Sequence, residues 1–166
     1  MYFLYFSNWN GQRPLSWIEA RNWFGQQRTP KPRSYYWMQK YDVVIIGGGA
    51  SGFFCAIQCA ERNPKLKILI LEKSREVLSK VRVSGGGRCN VTHGCFDPQE
   101  LINYYPRGHK ELLGPFHRFM CGDMMDWFLQ HGVETKVEED GRVFPSSNSS
   151  ATIVNCFLDL SEKYGI

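Results

Sequence analysis

From Tyr41 onward the chain alternates apolar runs with polar breaks at intervals that suit a parallel α/β domain. Val43 to Ile46 is an unbroken β-branched run, the pattern of a short strand buried on both faces. A glycine cluster follows, and then residues 50–62 place Phe53, Phe54, Ala56, Ile57 and Ala60 on one side of a helix that Asn63-Pro64 ends. Lys67 to Leu71 reads as a second strand. Strand, helix and strand together have the size of a βαβ unit.

Further on, Met120, Met124, Trp127 and Phe128 recur at helical spacing and stop at His131-Gly132, where the glycine suits a helix end. Val133–Val137 and Arg142–Phe144 flank Glu138-Glu139-Asp140-Gly141 as a hairpin would. A last helix carries Ile153, Val154, Phe157, Leu158 and Tyr164, after a serine-rich capping stretch and before Gly165. The chain ends at Ile166, where a next strand is expected. The predicted fold class is α/β: a three-layer, Rossmann-like FAD/NAD(P)-binding domain with a parallel sheet, extra helices and a hairpin, and incomplete.

Charge divides the 166 residues unevenly. Residues 1–37 carry Arg13, Arg21, Arg28, Lys31 and Arg33 against Glu19, together with four of the five tryptophans. The remainder holds fifteen basic and fifteen acidic residues, so the net charge of +4 belongs to the leader. Met38 precedes the first strand closely enough to serve as a natural start. The leader then reads as upstream sequence, with a basic aromatic arm for RNA or a membrane, or a plain ordered extension, as alternatives.

No apolar run reaches the length of a membrane span, and the opening residues lack a secretory signal, so a cytoplasmic protein is expected. The six cysteines form no CxxC pair and show no Cys/His ligand spacing, so neither a zinc site nor a thioredoxin-type motif is expected. Cys55 and Cys59 are expected as buried thiols against the sheet, and the four histidines as surface or core residues.

Chemistry concentrates in two glycine loops. Gly47-Gly48-Gly49-Ala50-Ser51-Gly52 satisfies GxGxxG between a strand and a helix, and Glu72 stands twenty residues beyond Gly52 at the end of the second strand. In that pattern Gly47 permits the tight turn, Gly49 admits a pyrophosphate, Gly52 lets helix and strand touch, and the helix N-terminus holds phosphate. Glu72 is placed to accept from ribose hydroxyls and to repel a 2′-phosphate, which favours FAD or NAD over NADP.

The second loop, Ser84-Gly85-Gly86-Gly87-Arg88-Cys89-Asn90, is too rich in glycine for a regular element. With Lys80, Arg82 and Arg88 beside it, an anionic planar ligand is the expected partner, and Arg88 could steady negative charge on a reduced flavin. Cys89 reads as a packed thiol, with a cation-activated thiol as the alternative.

The segments YDVVIIGGGASGFFCAI, LEKSREVLSKVRVSGGGRCNVTH and DGRVFPSSNSSAT together resemble the bacterial aminoacetone oxidase-like FAD-binding flavoproteins, also called NAD(P)/FAD-dependent oxidoreductases. The resemblance runs from Met38 to Ile166. It departs from the family's habit at Ser79-Lys80-Val81 and at His93. The resemblance implies FAD as cofactor, NAD(P)H as electron donor, and a site of Gly47, Gly49, Ala50, Ser51, Gly52, Glu72, Lys73, Arg82, Gly85, Gly86, Gly87, Arg88, Cys89 and Asn90, with no metal. It also implies reduction of a conjugated C=C bond in a small molecule or in ribosomal RNA, or oxidation of a small amine. The family's substrate domain and returning C-terminal FAD segment are absent from the 166 residues, so a chain inactive alone is expected. A nicotinamide-dependent dehydrogenase is the alternative.

Overall fold

The computed structural model describes residues 39–166. The expectations for residues 1–37 and for Met38 lie outside the described residues.

The βαβ unit forms where the apolar pattern puts it. Strand β1 (Val43–Ile46) and strand β2 (Ile68–Leu71) pair in parallel, Val43 opposite Ile68 and Ile46 opposite Leu71. The backbone N–H of Gly47 continues the ladder to Leu71 O at 2.8 Å, which carries the strand geometry into the glycine turn. Between the strands runs helix α1 (Ala50–Arg62), with Phe53, Ala56, Ile57 and Ala60 buried at helical spacing. Asn63, in extended conformation, ends it.

Val43, Ile45, Ile68 and Ile70 pack under α1, with Tyr164 and Ile166 joining from the chain's end. The opposite face is open: Val44 is 51% exposed, Ile46 84% and Leu71 48%. The β-branched run of β1 is therefore covered on one face, and not on both as its composition predicts. The cause is that α1 and the chain's last residues share one side, and among the described residues nothing covers the other.

After β2 come the short helix α2 (Ser79–Val83), a 3₁₀ turn at Ser84–Gly87, and strand β3 (Thr92–His93). Helices α3 (Pro98–Leu101), α4 (His109–Phe116) and α5 (Cys121–Gln130) follow. Asp97 caps α3 by accepting from Gln99 N at 2.7 Å, and Asp123 accepts from Met120 N at 2.8 Å at the head of α5. Gly132 takes a positive φ just past α5, where the sequence places the stop.

The hairpin strands β4 (Thr135–Val137) and β5 (Arg142–Pro145) are antiparallel, with Val137 opposite Val143. β3 adds to the far edge of β5, so the second sheet runs β3-β5-β4. Helix α6 (Ser150–Tyr164) closes the domain and ends at Gly165 with φ 66°.

The main core joins α1, α5 and α6 through Phe53, Ile57, Trp127, Phe128, Ile153, Val154 and Phe157. Burial of each large apolar side chain contributes about 1.5–3 kcal/mol. One polar cluster crosses this core. Glu61 of α1 accepts from Trp127 Nε1 at 3.2 Å and meets His131 Nε2 at 2.8 Å, tying α1 to α5. Thus the helix that opens at the first glycine loop is held at its far end too.

Candidate functional site

A cleft of about 1080 Å³ opens where β1 passes into α1. Gly47 to Gly52 form one wall, with Glu72 at the tip of β2, and Ser84, Cys89 and Asn90 come from the second loop. Lys80 of α2 supplies a positive charge.

Local packing explains the first loop. Gly47 has φ 111°, a conformation that side chains resist. A Cβ on Gly52 would stand 2.0 Å from Gly47 O, so only glycine lets the helix start this close to the strand end. Gly49 differs, because a Cβ there would meet nothing within 4 Å. Its bare side faces free space. The head of α1 has neither an acidic residue in its first turn nor a capping side chain, so its first N–H groups, at Ala50 and Ser51, have no helical acceptor. Donors and the positive end of the helix dipole are thus presented together.

Glu72 does two jobs within the fold. Its Oε2 accepts from Gly48 N at 2.7 Å and its Oε1 from Ser74 N at 2.8 Å. These bonds from Ser74 and Gly48 lower its pKa to about 2. Gly48 also accepts from Leu78 N at 2.8 Å, and a Cβ on it would press Val77 at 2.9 Å and Glu72 at 3.1 Å. The unspecified second position of GxGxxG is therefore a pinned glycine here. Its being glycine was the only signal in the sequence.

The second loop has two sides. Ser84, Cys89 and Asn90 reach the cleft, whereas Lys73, Arg82, Gly85, Gly86, Gly87 and Arg88 are not in its lining. Lys73 and Arg82 are exposed. Arg88 Nη1 donates to Glu138 Oε1 at 2.6 Å, and its guanidinium lies 3.8 Å over the Phe144 ring. Gly85 has φ 56°, and a Cβ on it would stand 2.8 Å from Phe144 Cε1. Cys89 is buried, with burial raising its pKa, which is the condition of the packed thiol and not of an activated one.

Cys55 and Cys59 fall differently from the expectation of two buried thiols. Cys55 is exposed and lines the cleft, and Cys59 is half-buried. Both sit beside the buried stripe of α1 rather than within it. Phe54, another cleft-lining residue, meets Trp127 edge-on at 5.0 Å and the tilted ring of Phe119 at 5.4 Å.

A parallel βαβ unit whose glycine turn opens its helix into a cleft, with a carboxylate at the second strand's tip, defines a Rossmann-like domain. The chain belongs to the family of the HI0933-like protein Rossmann domain, which matches residues 41–166. It is 30% identical over 126 residues to the ribosomal RNA dihydrouridine synthase of Escherichia coli strain K12, covering 76% of this chain and 30% of that protein. It is 31% identical over 112 residues to the 3-dehydro-bile acid delta(4,6)-reductase of Clostridium scindens, covering 68% and 26%. A fumarate reductase flavoprotein subunit of Proteus vulgaris is 29% identical over 90 residues, covering 54% and 14%. The chain thus spans under a third of the length of these relatives. No helix among the described residues is long and apolar enough to cross a membrane.

Proposed function

We propose that this chain holds FAD in an oxidoreductase that reduces a carbon–carbon double bond conjugated to a carbonyl. The observation that carries the proposal is the cleft itself, where the uncapped head of α1 and the open side of Gly49 face residues of a second glycine loop. A nicotinamide site needs the first loop alone. A second wall, made by Ser84, Cys89 and Asn90, suits a longer ligand with a planar ring at its far end.

The residues present fit that ligand. The Ala50 and Ser51 N–H groups would hold the pyrophosphate over Gly49, with Lys80 offsetting its charge. Glu72 keeps an unused lone pair on Oε2 for a ribose hydroxyl, and its charge disfavours a 2′-phosphate. Ser84, Cys89 and Asn90 would bound the ribityl and ring end. FAD when bound supplies the hydride chemistry, and the chain's residues orient it and hold its charges.

The relatives' names support the reaction class. Dihydrouridine is a uridine reduced across a double bond conjugated to a carbonyl, and a delta(4,6)-reductase is named for its double bonds. Aminoacetone oxidation finds no such support. NAD(P)H is the proposed electron donor, and the substrate is either ribosomal RNA or a small enone, the same chemistry from two sources.

Purification of the protein followed by release and chromatography of bound nucleotide tests the reading. Stoichiometric FAD is expected, and its loss in Gly49→Val, where the new side chain would fill the pyrophosphate's space. NAD in place of FAD, or full FAD retention by Gly49→Val, would overturn it.

A further inference from the structure

The run Gly85-Gly86-Gly87 has more freedom when unfolded than any other tripeptide, so its fixed shape needs support from outside. All three glycines have positive φ, as does Cys89. The support comes from the β4–β5 hairpin. Arg88 donates to Glu138 at 2.6 Å and lies 3.8 Å over Phe144, a fully buried ring. Asn90, with its amide nitrogen turned to acceptors, donates to Thr92 O at 2.9 Å and Val143 O at 3.2 Å. Val91 N donates to Val143 O at 2.8 Å.

One side of the loop thus lies on the hairpin and the other faces the cleft. We infer that Arg88 is a positioning residue: with Glu138 and Phe144 it fixes the loop whose Ser84, Cys89 and Asn90 line the cleft, and it acts on the bound dinucleotide through those residues without touching it. The inference rests on the FAD reading of the cleft. It differs from a flavin-contacting arginine, because the guanidinium has its edge on a carboxylate and its face on an aromatic ring. Turning it to a ligand would break both contacts and leave Glu138 without its cation.

The test pairs Arg88→Gln with Glu138→Gln and the double variant. Three quantities are read: amide hydrogen exchange at residues 85–89 in the flavin-free protein, the FAD dissociation rate, and the midpoint potential and absorption spectrum of bound flavin. Arg88→Gln should speed exchange and FAD release about 5- to 30-fold, the range of one partly exposed ion pair and one cation–π contact, and Glu138→Gln, which leaves the guanidinium on Phe144, about 2- to 5-fold. The double variant should be no worse than the worse single, with potential and spectrum at wild-type values throughout. A potential or spectrum shifted by Arg88→Gln while Glu138→Gln is silent would overturn the inference and put Arg88 on the flavin. Unchanged exchange in both singles would also overturn it. If the wild type carries no FAD, the functional reading fails, and the exchange measurement still decides the clamp.

Discussion

The two glycine loops look alike in sequence and differ in what their glycines face. In the first, Gly47 and Gly52 meet each other across the strand–helix junction, and Gly49 opens to the cleft. In the second, Gly85 meets Phe144 and the Asn90 backbone, and the flanking Arg88 and Asn90 bond to the hairpin. One loop is shaped by its own strand and helix, the other by a partner remote in sequence. A glycine-rich signature therefore records a close approach, and only the structure tells whether a ligand or the protein approaches.

Four substitutions sharpen that contrast. The largest effect is expected from Gly52→Ala, whose methyl group would collide with a backbone oxygen that cannot move without breaking the β1–α1 turn. A loss of about 3 kcal/mol in urea unfolding is expected. A loss below about 1 kcal/mol would mean that the helix start has room the close contact denies.

Next comes Gly85→Ala against Gly86→Ala. Both force a side chain into the left-handed region, a cost of about 1–2 kcal/mol. Only Gly85 adds crowding against Phe144 and Asn90, since Gly86 has nothing within 4 Å. Gly85→Ala should thus be the more destabilising in the same titration, and equal losses would refute a hairpin-shaped loop.

The smallest effect concerns acid. Glu72 has its pKa lowered from 4.5 to about 2 by bonds from Ser74 and Gly48. A carboxylate with a depressed folded-state pKa adds stability above its unfolded pKa and loses it as pH falls through the folded value. The melting-temperature advantage of wild type over Glu72→Gln should therefore be constant above pH 4.5 and shrink toward pH 2. An advantage that is flat across this window would remove the carboxylate's charge from the loop's support.

The sequence exposes the first loop and its βαβ frame because every signal there is local. The run at Val43, the helical stripe of Phe53, Ala56, Ile57 and Ala60, and the stop at Asn63 all lie within a few turns of one another, and α1 appears over the expected residues. The hairpin and the helices around Trp127 and Ile153 follow for the same reason. Strand β3 was hidden, since two residues are too few to show a period. The partner of Arg88 was hidden as well. Glu138 lies fifty positions away in the turn of the expected hairpin. Local pattern carries no information about such a pairing. The open face of β1 was misread because a β-branched run reports what a strand tolerates, not what covers it.

The pinning of Gly48 between Glu72 and Leu78 has a kinetic meaning. A loop already bonded at its amide and its carbonyl has little conformational freedom left to lose when an anion arrives. On the proposed FAD reading, capture at the head of α1 is expected to be a single bimolecular encounter, with an observed rate that rises in proportion to ligand concentration; a plateau in stopped-flow mixing would show a slow rearrangement instead.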